Sequence, residues 1–337
     1  MSQKVVTSNP MASLRPLLEL LADGQQHSGE SLGAALGISR AAVWKQLQKL
    51  EQLGLSVESE KGRGYRLPGG LDLLAADQIR AFMSRSGQAL LGTLQVLDQV
   101  DSTNARVLAQ MDAGEGHGLV MLAEQQTAGR GRRGRQWVSP FAGGITLSIG
   151  WEFQGGVQIL EGLSLAVGVA LARALERFGV PDVRLKWPND VWCRGRKLAG
   201  VLLELSGDLT DRCGVVVGVG LNVGLAEGAG RDIDQPWIDL ESVRPGVARN
   251  HLAAAMLEEL LTLLSTYPNA GFAAYRDAWK GLDQFAGRQV TVHSGPRQWV
   301  GASRGVDESG ALLLEIDGEL QRFHGGEVSL RSGEAGE

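Results

Sequence analysis

The sequence predicts a multidomain α+β protein: an N-terminal winged helix-turn-helix over residues 1–68, a central mixed α/β domain over 69–285, and a small C-terminal β-barrel over 286–337. Three observations carry this. Two helical patterns separated by Gly37-Ile38 are followed by a hairpin pattern with a basic tip, K61-G62-R63-G64. Strand and helix patterns then alternate around an arginine- and glycine-rich stretch, Gln126–Trp137. From Gly287 onward, short apolar alternations are broken by Gly and Asp-Gly, as in a small barrel. A chain of 337 residues also exceeds one ordinary core, so two or three domains are expected.

In the first segment, residues 14–21 form a short apolar helix that stops at Asp23-Gly24. Leu32, Ala35 and Leu36 keep helical spacing before the break at Gly37-Ile38, and Ser39 is placed to cap the next helix. There Val43, Leu47 and Leu50 recur at i, i+4 and i+7, which gives one buried face. Arg40, Trp44, Lys45 and Gln48 fall on the other side. A helix, a tight turn and a helix with a polar N-terminal face is the arrangement that enters a major groove. Leu55–Ser59 and Tyr65–Leu67 flank the basic tip and read as a wing carrying Lys61 and Arg63. Trp44 either contacts bases or packs under that wing. Pro68-Gly69-Gly70 reads as the linker out of this domain.

In the central segment a helix over 76–86 is expected to pack Ile79, Phe82 and Met83. Leu94–Leu97 reads as a strand, and D101-S102-T103-N104 supplies capping groups before Val107, Leu108 and Met111. Strands follow at 120–123 and 144–151, and a long apolar helix from about Ile159 to Phe178. Strand 183–187, the turn Pro188-Asn189-Asp190, strands near 198–205 and 214–219, and helices near 250–265 and 270–280 complete it.

Composition excludes several classes. Net charge is −5, which argues against a protein coated in nucleic acid. Residues 39–66, however, hold six basic side chains and three acidic ones, a local excess that suits a nucleic-acid face. No segment approaches the ~18 uninterrupted apolar residues of a membrane span, and the N-terminus carries no apolar signal region. Two cysteines twenty positions apart and five scattered histidines lack metal-ligand spacing, so no protein-built metal site is expected and a reducing cytoplasm fits.

Within Gln126–Trp137, Arg130, Arg132, Arg133 and Arg135 are threaded by Gly129, Gly131 and Gly134. Guanidinium forks bind two oxygens of a phosphate or carboxylate at once, and glycine lets the backbone approach a ligand. G129-x-G131-x-x-G134 also has the form of a dinucleotide fingerprint. That motif needs its third glycine to open a helix, whereas Pro140 and Gly143-Gly144 follow here and break one. A Walker A motif is missing from the sequence. An anion-closing loop and a solvated basic loop remain.

Further motifs bear on that choice: K186-W187-P188-N189-D190, R196-K197-L198-A199-G200-V201-L202-L203-E204 with its lysine at the start of an apolar strand, V219-G220-L221-N222-V223, and A123-E124-Q125-Q126. Together with D101-S102-T103-N104 they resemble the biotin–protein ligase family from about Val96 to the C-terminus. S303–D307, G310–E315 and G325-G326-E327 resemble that family's small C-terminal module. With H27-S28-G29-E30, S39-R40-A41-A42 and K61–Y65 in front, the whole chain resembles the bifunctional biotin ligases and biotin-operon repressors of bacteria.

The resemblance implies a class II synthetase-like central domain and an SH3-like C-terminal barrel. It implies that biotin and Mg-ATP give biotinyl-5′-AMP, and that biotin then passes to a lysine of the biotin carboxyl carrier protein of acetyl-CoA carboxylase. It implies catalytic roles for Lys197, Arg130 and Arg132, the last two clamping the carboxylate–phosphate junction with Gly131. Ser102, Thr103, Asn104 and Gln126 would meet the ureido ring. Asn189, Asp190, Asn222 and Trp237 would serve the ATP and magnesium side, with Trp237 over the adenine. Ser39, Arg40, Trp44, Lys45, Gln48, Lys61 and Arg63 would face operator DNA. A homodimer formed on biotinyl-AMP would bind a two-fold operator. Two alternatives stand beside this: a biotin-sensing transcription factor without ligase activity, and a lipoate–protein ligase on the same scaffold.

Overall fold

The computed structural model describes residues 11, 14–207, 211–225, 228, 230, 233, 235–294, 297–324 and 328–332. Gly325, Gly326 and Glu327, one of the matched C-terminal motifs, lie outside the described residues.

The N-terminal unit starts with α1 (Arg15–Leu21), which buries Leu17, Leu18 and Leu21. Ser28 caps α2 (Gly29–Leu36), and Gly37 ends it in the left-handed region at φ 67°. Ser39 caps α3 (Arg40–Gln52) by accepting from the Ala42 N–H, and Val43, Leu47 and Leu50 form the buried face as the spacing predicted. Of the three residues that keep helical spacing in α2, Leu32 is buried, Leu36 half-buried and Ala35 exposed. The hairpin β1 (Glu58–Glu60) and β2 (Gly64–Arg66) is shorter than expected. Trp44 does not pack beneath it, being 53% exposed.

The linker is docked rather than free. Leu71 N–H donates to the Ala22 carbonyl, and Gly24 and Gly70 meet so closely that a Cβ on Gly24 would lie 2.9 Å from Gly70 N. The helix expected over 76–86 is two helices, α4 (Ala76–Phe82) and α5 (Arg85–Leu90), because Ser84 caps a new start. Ile79 and Met83 are buried as expected, but Phe82 is 50% exposed and stacks on His251.

Seven strands then form one mixed sheet: β3 (Leu94–Val100), β4 (Val120–Gln126), β5 (Gly144–Gln154), β6 (Val183–Lys186), β7 (Asp190–Cys193), β8 (Arg196–Ser206) and β9 (Arg212–Asn222). Their order is β3-β4-β5-β9-β8-β7-β6, parallel at β3–β4 and antiparallel elsewhere. The strand β7 was not expected; it follows directly from the Pro-Asn turn and pairs on both sides. Alternation assigns the faces. Val120, Leu122, Val215 and Val217 join the main core with α7 (Leu163–Arg177) and α8 (Arg249–Ala270). Met121 and Val216 point the other way and pack with Val107 and Met111 of α6 (Thr103–Asp112). The long helix expected from Ile159 is interrupted at Gly162, whose φ of 70° sets the start of α7. Although α7 with its preceding turn is apolar enough to cross a membrane by composition, it is the central core helix of this fold.

After α9 (Ala273–Leu282) come β10 (Gln289–Ser294), β11 (Arg297–Val306), β12 (Leu312–Ile316), β13 (Glu319–Phe323) and β14 (Val328–Ser332). They make one antiparallel sheet in the order β13-β12-β11-β10-β14. Val290, Val292, Leu312 and Leu314 continue the main core, and the Trp187 indole N–H donates to the Gly310 carbonyl at 3.0 Å.

A buried ion pair lies where the N-terminal unit meets the sheet, and Arg15 makes the contact between them. Glu124 on β4 and Arg249 at the start of α8 meet at 2.8 Å. Glu124 also accepts from the Leu74 N–H, and Arg15 of α1 bonds Asp98 and the Leu74 carbonyl. Phe141, from the segment after the arginine loop, sits in the N-terminal hydrophobic cluster with Leu17, Leu18 and Leu47.

Candidate active site

A cavity of about 710 Å³ opens on the α6 face of the sheet. Its floor is set by glycine. Gly200 pairs with Gly220 across β8–β9, and Gly218 lies two residues on. A Cβ at Gly218 would stand 2.1 Å from Asn104 Oδ1, and one at Gly220 would stand 2.3 Å from the Trp137 ring. Only bare backbone leaves room there.

One wall is neutral and polar. Ser102 caps α6 through the Ala105 N–H, which places Thr103 and Asn104 at the helix start. Gln126 Oε1 accepts from Thr103 N at 2.8 Å and from Thr103 Oγ1 at 3.0 Å. Ser148 on β5 lies between Thr103 Oγ1 and Asn104 Oδ1. Ser102, Thr103, Asn104 and Gln126 are thus brought to one place.

The other end is cationic. Lys197 Nζ lies 2.8 Å from Asp190 Oδ1, and Arg132 Nη1 donates to Asn189 Oδ1 at 3.2 Å. Burial, with Arg133 and Arg135 beside it, lowers the pKa of Arg132 from the ordinary guanidinium value, while Asp190 opposes that shift. Arg130 pairs with Glu204 at 2.7 Å. The arginine loop closes on itself, with Gly131 N–H donating to the Arg135 carbonyl and Trp137 N–H to the Gly129 carbonyl. Of its three glycines only Gly134 has a positive φ, next to Arg133 at 58°. Gly129 is needed for proximity instead: a Cβ there would stand 2.6 Å from the Trp137 carbonyl oxygen.

Asn189, Asp190, Asn222 and Trp237 line the same cavity. The Trp237 segment bridges the start of β8, with Lys197 N–H donating to the Pro236 carbonyl. Asn222 donates to the Ile238 carbonyl and so anchors that segment. Sequence reasoning gave no role to Trp137, Lys186 or Glu204, although each stands inside a quoted motif, and did not single out Ser148 or Trp192; the alternating G218-x-G220 was the available signal that a ring and a carboxamide press on β9. Lys186 Nζ stands 4.6 Å from the centre of the Trp192 ring at the cavity edge.

The residues expected to face DNA lie on α3 and its cap and at the tip of the β1–β2 hairpin in the N-terminal unit. Arg40, Trp44 and Lys45 are exposed on α3, and Gln48 is half-buried there. Lys61 and Arg63 are exposed at the hairpin tip, where Arg63 pairs with Glu60.

Family models match in the same three places: an HTH domain over residues 14–66, the biotin/lipoate A/B protein ligase family over 96–222, and the biotin protein ligase C-terminal domain over 285–331. The bifunctional ligase/repressor BirA of Escherichia coli is 42% identical over 318 residues, covering 94% of this chain and 97% of that one. The biotin–[acetyl-CoA-carboxylase] ligase of Mycobacterium tuberculosis is 36% identical over 241 residues, 70% of this chain and 88% of that one. Among solved structures, the biotin protein ligase of Aquifex aeolicus in complex with biotin and ATP superposes with a TM-score of 0.63 at 28% identity, over 72% of this chain and 100% of that one. Fold, cavity and similarity along nearly its whole length agree: the chain belongs to the biotin protein ligase family, in its bifunctional ligase/repressor form.

Proposed function

We infer that the chain is a biotin–protein ligase that makes biotinyl-5′-AMP from biotin and ATP, transfers biotin to a carrier-protein lysine, and represses transcription through its helix-turn-helix. The observation that carries the enzyme reading is the pairing, in one cavity, of a neutral hydrogen-bonding wall with a cationic end holding Lys197 and Arg132. The wall formed by Thr103, Asn104, Gln126 and Ser148 suits a cyclic urea, which needs donors and acceptors without charge. A dithiolane has neither, which favours biotin over lipoate.

In the first step a biotin carboxylate oxygen bonds to the α-phosphorus of ATP as the bond to the β-phosphate oxygen breaks and pyrophosphate leaves. Two anions must meet, so the protein's task is to neutralise and align them. Lys197, Arg130 and Arg132 supply that charge, with Gly131 letting the backbone close in. In the second step the carrier lysine amine bonds to the acyl carbon, AMP leaves, and the amine gives up its proton.

Asn189, Asp190 and Trp237 stand on the ATP side, Asn222 behind them. Among the described residues no group of three metal ligands exists, and Asp190 and Glu204 are engaged by Lys197 and Arg130. Magnesium would arrive bound with ATP, with Asn189 and Asp190 on that side of the cavity. Ser39, Arg40, Trp44, Lys45, Gln48, Lys61 and Arg63 form the face offered to operator DNA. Further parts of the reading are domain limits at 68/69 and 285/286, a homodimer formed with biotinyl-AMP, the carrier of acetyl-CoA carboxylase as acceptor, and a cytoplasmic location. The separate sheets support the limits. A single-turnover assay with labelled biotin, ATP and carrier protein decides the enzyme reading. Label should move to the carrier lysine; binding of biotin without transfer would leave only a sensor.

A further inference from the structure

Glu204, near the end of β8, touches both arms of the cavity. One carboxylate oxygen takes Arg130 Nη1 at 2.7 Å, and the other takes Asn104 Nδ2 at 2.8 Å. From there polar contacts continue from Asn104 Oδ1 through Ser148 Oγ and Thr103 Oγ1 to Gln126 Oε1, the two hydroxyl protons being shared among the three contacts. An unbroken chain of polar contacts therefore runs from the arginine loop to the neutral wall.

Asn104 cannot shift within this chain, because it is buried and its carboxamide presses on the bare backbone of Gly218. What remains free is the 180° flip that exchanges its oxygen and nitrogen. An ionised carboxylate only accepts hydrogen bonds, so Glu204 binds the amide nitrogen and turns the carbonyl oxygen toward Ser148 and the cavity. A ligand N–H then meets an acceptor. A neutral glutamine in its place could donate or accept, leaving only the longer contact of Asn104 Nδ2 with the Leu202 carbonyl, at 3.4 Å, to choose the flip.

We propose that Glu204 is a positioning residue for adenylation: it fixes the Asn104 carboxamide to accept from a ureido N–H and, with its other oxygen, holds Arg130 at the cavity. The proposal rests on the biotin reading above. It also makes the two arms interdependent, since losing the carboxylate loosens the ring wall and the arginine together.

The test uses the full chain and the isosteric variant Glu204→Gln, alone and combined with Asn104→Ala. Glu204→Gln should raise the KM for biotin by about tenfold, the scale of one charged hydrogen bond, with a much smaller change in the KM for carrier protein. On the Asn104→Ala background the same change should raise the biotin KM by clearly less than about tenfold, because the amide partner is already gone and only the hold on Arg130 remains to be lost. A biotin KM within about twofold of wild type, or factors that multiply in the double variant, overturns the proposal. So does a Glu204→Gln chain that fails to fold, which would mark the carboxylate as a structural tie. Wild-type formation of biotinyl-AMP, read in the same assay, tests the biotin reading separately.

Discussion

Lys197 Nζ rests 2.8 Å from Asp190 Oδ1, with both side chains mostly shielded from water. The pair points the ammonium into the cavity before any substrate arrives. Asp190 must share it once two anionic substrates are present, so its first task is to hold the lysine ready. Lys197→Ala should slow pyrophosphate release from biotin and ATP by about ten- to a hundredfold or more, from the loss of one charged hydrogen bond in a buried setting. Retention of the wild-type rate would remove Lys197 from the mechanism.

The arginine loop offers a second prediction. Arg130, Arg133 and Arg135 are exposed, and the turn is closed by its own backbone hydrogen bonds. Guanidinium groups that grip a carboxylate–phosphate junction should hold the loop against the cavity when it is filled. Trypsin should cut after Arg130, Arg133 or Arg135 in the free protein and more slowly with biotin and ATP present. Equal cleavage in both states, followed by mass spectrometry of the fragments, would show a loop that does not close on ligand.

Phe141 gives a third. It follows the arginine loop in sequence but packs among Leu17, Leu18 and Leu47 of the N-terminal unit. Phe141→Ala should cost about 3–5 kcal/mol, as for a buried aromatic, and melting of the helix-turn-helix should move with it. Deleting residues 1–66 should abolish operator binding and also destabilise the ligase part, since it uncovers Phe141 and removes the Arg15–Asp98 contact. Denaturant melts and gel-shift titrations read both effects. Unchanged operator binding after the deletion would overturn the DNA-binding assignment.

Asp283 gives the fourth. Burial lifts its carboxyl to about 6, against only one hydrogen bond, from the Phe285 N–H, that favours the charge. Its other oxygen is buried without a partner. A carboxyl whose folded pKa lies above its unfolded value favours folding while protonated, and that contribution is lost as pH rises between about 4 and 6. Asp283→Asn should therefore stabilise the protein at pH 8 by at most about 3 kcal/mol, less whatever its unpartnered amide N–H costs. The advantage should vanish near pH 4. A thermal melt series across pH 4 to 8 checks the slope, and a pH-independent difference would contradict it.

Where the sequence was legible, the physics was local. Ser39 as a cap and Val43, Leu47 and Leu50 as a face follow from helix geometry, and both are present. The motif residues of the cavity were found because charge and glycine stand out in a sequence. Glu204 did not stand out, because its importance comes from meeting Arg130 and Asn104 across 74 and 100 positions. Phe82 was misplaced for a similar reason: helical spacing pointed it inward, but Ser84 restarted the helix and left the ring on His251. Phe141 reads as an ordinary loop aromatic until the N-terminal unit is placed beside it. Long-range partners decide such residues, and no window of neighbours contains them.

The run Lys186–Asp190 faces four different parts of the protein at once. Lys186 lies over Trp192, Trp187 reaches the C-terminal sheet at Gly310, Asn189 holds Arg132, and Asp190 holds Lys197. Random mutagenesis should therefore treat these positions as one block. A change at Lys186, Trp187, Asn189 or Asp190 disturbs a separate partner, so repair would have to come from outside the run, from a different place for each position. Variants selected for restored activity should carry their second changes near Gly310, the arginine loop or the head of β8, and seldom within the run itself.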